Sequence, residues 1–402
     1  MRDNFQKKVL KNGMTVIFEK RDLPIVSVIF AVKQGGVNEF PEEKGISHYI
    51  EHMLYKGTPT RNSKQIAEEI ERRGGDLNGF TSEEITAFFC KMPSKYLQVA
   101  LDVLSDIVKN PLFDEEELEK ERKVIFEEIK MYHDSPTRHV FDEIQKALYD
   151  GTMDINLAGT IETMNSINRE KIVERFNEIY VPENMILCVV GDADFDELCD
   201  FVEKNFESKK GKIVKQKFNL KNETKIEKRK GIDQANLVFA YHVGLAREKS
   251  SYDAGVLSTL IAEGMSSRLF AEIREKRNLA YAVKGDANIN KDFAYNLIYV
   301  GTTPEKVEEI KGLILKEFEN VGENLEEKEL NEIKAQMIGN YYISMEDSQT
   351  QMINLLVSEI HGGAENFYKF EENIRNVKLE DVKELALKVK EGYSFFALVP
   401  GE

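Results

Sequence analysis

The chain has 402 residues, enough for two domains or more, and 42% of them are hydrophobic, which supplies ample core. A formal net charge of −16 argues against a nucleic-acid partner, because phosphates attract basic surfaces. No stretch approaches the ~18 apolar residues of a membrane helix, and the N-terminus has no apolar core, so neither a membrane partner nor a secretory signal is expected. Cys90, Cys188 and Cys199 show no metal-like spacing; reduced thiols and a cytoplasmic location are the expectation.

The first predicted elements are a hairpin and a buried strand. Residues 9–19 carry apolar runs on both sides of Asn12-Gly13, a dipeptide that is typical of tight hairpin turns. Residues 26–32 form an apolar run that ends at Gly35-Gly36, as a buried strand does. The chain is therefore expected to begin with β-structure.

The next stretch, residues 45–54, places two histidines and a glutamate at helical spacing. His48 and His52 are four residues apart, so on a helix both imidazoles lie on one face, about one turn from each other. Two nitrogen ligands in that arrangement can bind Zn²⁺ at about 2.0–2.1 Å each and leave positions for a third ligand and a water. Glu51 projects toward the same side, where a carboxylate can take a proton from a water acidified by the metal. An amphipathic helix with two chance histidines and a solvated glutamate is the alternative.

A third ligand is predicted on a later helix, residues 115–132. One face of that helix, at 3-4-3-4 spacing, carries Leu118, Glu121, Ile125, Glu128 and Tyr132. Two carboxylates thus stand where a helix normally carries core residues, and burying them is costly unless a cation or hydrogen-bond donors compensate. Glu128 as a metal ligand and Glu121 as the acceptor for a ligand histidine would account for both. Two solvated glutamates on an exposed helix are the alternative.

These residues resemble a known family. The order H-Y-I-E-H at residues 48–52 is the inverted zincin pattern H-x-x-E-H, and Glu128 follows in a suitable context. The chain is similar over essentially its whole length to the pitrilysin family of zinc peptidases, in particular the half-length branch that includes mitochondrial processing peptidase and its bacterial relatives. The resemblance implies one zinc per chain bound by His48, His52 and Glu128. It also implies Glu51 as the general base and Glu121 as a supporting acceptor.

Residues 75–81 resemble the family's substrate-binding edge strand. The resemblance implies that a peptide substrate binds at Asn78, Gly79, Phe80 and Thr81. A peptide there would add as an extra strand, held by backbone hydrogen bonds with loose sequence preference. Gly79 is a small departure, because Ala is common at that position in the family.

The remaining elements of the first half mix helices and strands without a regular βαβ alternation. Helices are predicted at residues 63–73, 93–109, 138–148 and 168–180, and strands within 77–92 and at 185–190. This mixture indicates an α+β fold for the half.

A change of composition then divides the chain. Residues 208–230 are rich in Lys, Asn and Glu and contain few large apolar residues. This composition predicts a surface linker between a catalytic domain, residues 1–207, and a second domain, residues 231–402. A basic tether for an acidic partner is the alternative.

The second domain is predicted to be a weak repeat of the first. Glu329-Leu330 aligns with Glu117-Leu118, which sets Asn340 against Glu128, and no paired histidines occur in residues 251–270. The second half is therefore expected to lack a metal site. The predicted fold class is α+β, with two homologous mixed α/β domains, each an antiparallel-rich sheet packed with helices. By the family resemblance, these two domains form one half of a clamshell.

Arg274 and Tyr281 are candidate catalytic residues of the second half. The family resemblance identifies this pair, and a guanidinium can hold a peptide carbonyl while a phenol donates to a developing oxyanion. An ordinary basic helix leading into a strand is the alternative. The histidines outside the motif are interpreted as structural: His133, His139, His242 and His361.

Three functions compete. The complete set His48, Glu51, His52 and Glu128 favours a zinc endopeptidase that hydrolyses unstructured peptides in an enclosed chamber. The alternatives are a non-catalytic scaffold subunit of the same fold and a maturation peptidase dedicated to one short peptide. Full-length relatives carry two such halves, so the resemblance also implies a homodimer in which the second half of one chain completes the zinc site of the other.

Overall fold

The computed structural model describes residues 4–401. The strands are β1 Phe5–Val9, β2 Thr15–Lys20, β3 Ile25–Val32, β4 Asp76–Thr81, β5 Thr86–Pro93, β6 Met185–Gly191, β7 Thr224–Arg229, β8 Ala235–His242, β9 Ala280–Ile289, β10 Ala294–Thr302 and β11 Ser394–Pro400. The α-helices are α1 Ile46–Leu54, α2 Ser63–Glu71, α3 Leu97–Lys109, α4 Glu115–Asp134, α5 Pro136–Leu148, α6 Ile161–Ser166, α7 Arg169–Ile179, α8 Phe195–Asn205, α9 Ser250–Ala262, α10 Val307–Asn324, α11 Glu327–Ser344, α12 Ser348–Ile360, α13 Phe370–Arg375 and α14 Leu379–Val389.

The chain forms two compact units, each built from separated segments. The first unit comprises the chain up to Lys130, Ile155–Lys217 and Ser344–Phe367. The second comprises Met131–Asp154, Phe218–Ile343 and the chain from Tyr368 onward. The expected domains 1–207 and 231–402, with a linker at 208–230, are continuous in sequence, whereas each observed unit combines separated segments. Helix α5 belongs to the second unit and α12 to the first.

The first unit is built on a sheet with the strand order β1-β2-β6-β3-β5-β4. Strands β2 and β6 pair in parallel, and the other neighbours are antiparallel. Strand β3 is central and packs against α3 on one face and α12 on the other, where Ser27 and Ser348 share a hydrogen bond of 2.9 Å. Because both faces are covered, β3 has a continuous apolar run instead of an alternating pattern.

The predicted hairpin is the pair β1–β2. Its strands pair antiparallel from Phe5↔Glu19 to Val9↔Thr15. The first strand therefore ends at Val9, the residue at which the predicted hairpin begins. Gly13 lies in the turn with φ 94°, a left-handed conformation that glycine adopts without steric cost. The Asn12-Gly13 signal therefore located the turn correctly.

The second unit repeats the topology of the first. Its strand order is β7-β11-β8-β10-β9, with β7 and β11 parallel and the other neighbours antiparallel. Each strand matches one of β2-β6-β3-β5-β4 in position and direction, and α9, α10 and α11 follow in the order of α1, α3 and α4. The predicted fold class is confirmed: the protein is a mixed α/β chain with two antiparallel-rich sheets packed with helices.

One part of the expected linker is a strand. Residues 224–229 form β7, which pairs in parallel with β11 from Phe395↔Thr224 to Pro400↔Arg229. Its side chains are mostly exposed because β7 lies at the edge of the sheet. This strand is held by backbone hydrogen bonds to β11, which do not depend on apolar side chains. Its polar sequence therefore gives no periodic apolar signal from which a strand could be predicted.

Within residues 4–401, no helix combines the length and the apolar character that crossing a bilayer requires.

Candidate metal and catalytic site

Helix α1 places His48, Glu51 and His52 on one side and buries the other. Its buried face includes Ile46, Tyr49, Ile50, Met53 and Leu54. The spacing of those apolar residues leaves positions 48, 51 and 52 on the opposite side of the helix. The predicted helix is therefore present and presents both histidines and the glutamate together.

The N-terminus of α1 is capped from a distance. Gly45 precedes the helix with φ 95°, and a glycine has no side chain with which to cap. Instead the carboxylate of Glu39 accepts hydrogen bonds from the backbone N–H of Gly45 at 2.9 Å and of Ser47 at 2.7 Å. An anion at a helix N-terminus satisfies orphan N–H groups and favours the helix dipole. Nothing in the sequence around the motif signals this contact, which sequence reasoning missed.

Helix α4 brings two carboxylates to α1. Leu118 and Ile125 are buried, and the hydroxyl of Tyr49 donates to the backbone carbonyl of Leu118 at 2.6 Å, which ties the two helices together. On the same face, Glu121 and Glu128 lie against the histidines of α1. The 3-4-3-4 spacing read from the sequence thus describes the face of α4 that meets α1.

Atoms of His48, His52 and Glu128 converge on one point. The two Nε2 atoms are 3.3 Å apart, and Glu128 Oε2 lies 3.6 Å from His48 Nε2 and 3.8 Å from His52 Nε2. Two ligands of a tetrahedral Zn²⁺, each at about 2.0–2.1 Å, stand about 3.3 Å apart. Glu128 Oε2 is buried and has no hydrogen-bond partner within residues 4–401. An orphaned carboxylate oxygen facing two imidazole nitrogens fits a bound divalent cation, so the residues present suit zinc.

Glu121 contacts His52 at Nδ1, the ring nitrogen that does not face Glu128. His52 Nδ1 lies 3.0 Å from Glu121 Oε2, and the other carboxylate oxygen accepts from Lys56 Nζ at 2.6 Å. When Nδ1–H donates to a carboxylate, the lone pair of Nε2 is left free for a metal. The contact with Glu121 favours this tautomer of His52, in which Nε2 is available to bind a metal.

Burial decides the protonation of His48 and raises the pKa of Glu51. Desolvation, with a smaller effect of His52, lowers the pKa of His48 to about 3, so the imidazole is neutral and able to bind a metal. Desolvation also raises the pKa of Glu51, and the nearby Glu128 acts in the same direction. A hydrogen bond from Thr81 Oγ1 to Glu51 Oε2, at 2.6 Å, opposes that rise.

Strand β4 lies at the edge of the first sheet, with only β5 beside it. Asn78 is exposed, and its side-chain oxygen accepts from the backbone N–H of Gly79 at 2.9 Å. Phe80 packs edge-on against Phe89, with ring centroids 6.2 Å apart. Of the four predicted substrate-binding residues, Thr81 is the one whose side chain donates a hydrogen bond to Glu51.

Arg274 and Tyr281 belong to the second unit. Arg274 lies in a short helical segment, Phe270–Glu275, with its guanidinium 4.8 Å from the centre of the Phe270 ring. Tyr281 is on β9 and 49% exposed, and its ring leaves no room for a side chain at Gly301, where a Cβ would lie 2.2 Å from the ring. Desolvation raises the pKa of Tyr281, and a hydrogen bond with Tyr299 adds to the rise, so the phenol stays protonated and can donate.

The second unit contains another group with metal-type side chains. His139, Glu143 and Glu227 lie close together in it. Cations already neutralise this group: Lys146 and Lys225 lie 2.7 and 2.9 Å from Glu143 oxygens, and Arg229 lies 2.9 Å from Glu227. The cluster is an ion-pair network. His139 had no partner spacing in the sequence, because Glu227 lies 88 residues away in the chain.

Two family models match the chain. Residues 15–161 match "Insulinase (Peptidase family M16)" and residues 166–337 match "Peptidase M16 inactive domain". The chain belongs to peptidase family M16, and the resemblance to the pitrilysin-type zinc peptidases is confirmed. The first matched range contains the paired histidines of α1, and the second contains Arg274 and Tyr281.

Particular relatives cover most or all of the chain. The uncharacterized zinc protease YmxG of Bacillus subtilis is 33% identical over 350 residues, which is 85% of this chain and 85% of that protein. An uncharacterized zinc protease of Rickettsia felis is 30% identical over 415 residues, covering 99% of this chain and 98% of that protein. The crystal structure of a protease from Helicobacter pylori superposes with a TM-score of 0.89 at 22% identity, covering 98% of this chain and 99% of that one. That structural likeness shows the fold.

Proposed function

We propose that the protein is a zinc-dependent endopeptidase that hydrolyses unstructured peptides inside an enclosed chamber. The observation that carries this proposal is the convergence of His48, His52 and Glu128 with Glu51 on the same side of α1. A neutral His48, an orphaned Glu128 oxygen and a basic carboxylate are what metal-assisted hydrolysis needs. The zinc-protease names of the relatives agree with it.

The metal would be held by His48, His52 and Glu128, one per chain. When bound, zinc supplies Lewis acidity, which acidifies a water and polarises the scissile carbonyl. The Glu51 carboxylate accepts the proton of the attacking water and then delivers it to the leaving amine. The raised pKa of Glu51 lies closer to neutral pH than that of an ordinary glutamate. A group with such a pKa can both accept a proton and donate it again.

The substrate would bind as an added strand along β4. The free edge of β4 offers backbone groups to an extended peptide, beside Asn78, Gly79, Phe80 and Thr81. Such binding needs an unfolded segment. We therefore expect cleavage of an unfolded polypeptide and resistance of its native, stably folded form. Equal rates on both forms would contradict the chamber and the strand mode together.

Two single substitutions, together with a matched control, test the assignments of the base and of the metal ligand. Glu51→Gln should keep about one zinc per chain and slow cleavage of a quenched unstructured peptide by at least about 10²-fold, because the base is lost. Glu128→Gln should lose zinc, because an amide oxygen replaces a ligand carboxylate. Zinc content by atomic emission and peptide cleavage are the measurements.

Glu127→Gln is the matched control for Glu128→Gln. Glu127 is the next residue on α4, but it is exposed and pairs with Lys130 at 2.6 Å. Its loss should change neither zinc content nor rate. If the wild type binds no zinc and cleaves nothing, the endopeptidase proposal fails and a non-catalytic scaffold subunit takes its place. Cleavage confined to one short peptide would indicate a dedicated maturation peptidase.

A further inference from the structure

Thr81 links the edge strand β4 to the carboxylate of Glu51. Its hydroxyl donates to Glu51 Oε2 at 2.6 Å, within the range of about 2.5–2.7 Å for charge-assisted O–H···O⁻ bonds. Among the residues 4–401, Thr81 is the one donor of a hydrogen bond to the Glu51 carboxylate. A glutamate has several rotatable bonds, so without this bond its carboxylate would be held by packing alone.

The helix and the strand meet at two matched points. Glu51 lies on α1, and Tyr55, four residues later, is the C-cap of that helix, so the two residues share a side of it. On β4, Gly79 and Thr81 are two residues apart and share a face of the strand. Thr81 contacts Glu51, and Gly79 lies so close to Tyr55 that a Cβ there would be 2.3 Å from Tyr55 Oη. Four residues of a helix rise about 6 Å and two residues of a strand about 6.8 Å. The spacing of the two contacts along the helix therefore matches their spacing along the strand.

We infer that Thr81 is a positioning residue for the reaction: its hydroxyl sets the direction of the Glu51 carboxylate, and it does so from the strand that receives the peptide. This inference rests on the proposed function and changes the role expected for Thr81, which acts through Glu51 rather than by contact with substrate. A proton acceptor that is misplaced by about 1 Å can lose a large part of its effect. The consequence is a role for Thr81 in turnover rather than in substrate affinity.

The test replaces the hydroxyl while keeping the shape. Thr81→Val should lower kcat roughly 10- to 100-fold with KM within about twofold of wild type and zinc content unchanged, because the base is retained but not directed. Thr81→Ser keeps the hydroxyl and should restore kcat to within about threefold of wild type. In a Glu51→Gln background, Thr81→Val should cause no further loss, since the two residues act as one unit.

The matched control is Thr86→Val. Thr86 lies directly opposite Thr81 on β5, and its hydroxyl donates to the Gln34 carbonyl at 3.0 Å rather than to Glu51. This variant should keep wild-type kcat even if it unfolds at a lower temperature. A Thr81→Val enzyme with wild-type kcat, or a Thr81→Ser enzyme as slow as Thr81→Val, would overturn the inference.

Crystal structures of the zinc-free variants give a second readout that does not depend on activity. In Thr81→Val the Glu51 carboxylate should leave its position or occupy alternate rotamers, whereas in Thr81→Ser it should stay. A carboxylate that keeps its place in Thr81→Val would refute the inference even if the chain proved to have no peptidase activity. A zinc-loaded wild type that cleaves no peptide while Glu51 moves as expected would instead refute the proposed function alone.

Discussion

Gly79 departs from the Ala that the family resemblance implies at this position, and the first unit contains a steric reason for the glycine. An ideal Cβ at this position would lie 2.3 Å from Tyr55 Oη and 2.9 Å from the backbone oxygen of Ala87. The Tyr55 hydroxyl is buried and has no hydrogen-bond partner within residues 4–401. The glycine and the tyrosine are therefore matched to each other beneath the proposed substrate strand.

We expect Gly79→Ala to lower the free energy of unfolding by about 1–3 kcal/mol through overpacking against Tyr55. Tyr55→Phe alone should be neutral or stabilising, because it removes a buried hydroxyl without a partner. Tyr55→Phe combined with Gly79→Ala should recover part of the loss. Urea unfolding of the zinc-free proteins measures all three.

Gly312→Ala is the control for this series. A Cβ at Gly312 on α10 would meet nothing within 4 Å, so that substitution should stabilise the helix slightly. If Gly79→Ala were as stable as Gly312→Ala, the steric account of the departure would be wrong.

Residue spacing carried the site prediction further than any other signal. The intervals between His48, Glu51 and His52, and between Glu121 and Glu128, follow from helical periodicity alone, and the structure brings these residues together. Sequence reasoning does not find contacts between residues that share no helical or strand spacing. The clearest is Glu39, whose partners lie on a helix that begins several residues later and depend on how the intervening chain folds.

At the scale of elements, the cap of α1 is a carboxyl group whose charged form is costly to bury. Desolvation raises the pKa of Glu39 to about 7 from an ordinary value of 4.5, while Lys44 and the N–H groups of Gly45 and Ser47 act against that rise. Lys44 is itself fully buried and lies 4.0 Å from Glu39 and 3.5 Å from Glu83. Desolvation outweighs these favourable contacts, so the Glu39 carboxyl that caps α1 takes up a proton near neutral pH.

This arrangement predicts a pH dependence of stability. The folded state binds the Glu39 proton more tightly than the unfolded state, so the contribution of Glu39 is fully present below about pH 4.5 and is lost as the pH rises through about 7. From pH 5 to pH 7.5, zinc-free wild type should lose roughly 2 kcal/mol relative to Glu39→Gln. Urea unfolding at both pH values tests this, and a constant difference between the two proteins would refute it.

The elements themselves were largely predictable where their apolar periodicity was strong. Helices α1, α3 and α4 and strands β3 and β6 lie where the sequence indicates them, because each buries a wide apolar face. Strand β7 was mistaken for linker, because an edge strand with exposed polar side chains has no such pattern.

At the scale of the whole molecule, the two units repeat one topology but carry different candidate site residues. The five strands of the second sheet repeat the order of five strands of the first. However, α11 carries Asn340 where the sequence repeat places it against Glu128, and the buried face of α9 contains no histidine. The second unit instead carries Arg274 and Tyr281. Because one chain carries both the candidate metal ligands and the candidate pair Arg274 and Tyr281, we propose a homodimer whose second copy completes each zinc site.

Mixing two inactive variants tests completion in trans. Arg274→Ala keeps its own zinc site and Glu51→Gln keeps its own Arg274, so a mixed dimer has one complete site of two. About half of the dimers are mixed after exchange, and activity should return to about a quarter of wild type. Native mass spectrometry confirms the exchange. Mixed dimers without activity would refute the trans arrangement.

The sequence by itself determined the repeating fold class, the helices that carry the metal-type residues and the spacing that puts those residues on one face. These are local properties, because helical and strand periodicity follow from backbone geometry. The tertiary structure alone decided the cap by Glu39, the hydrogen bond from Thr81, the fit of Gly79 to Tyr55 and the assignment of α5 and α12 to different units. The cap by Glu39 spans only six to eight residues but depends on how the intervening chain folds, and the other features join segments farther apart in the chain, which only folding brings together.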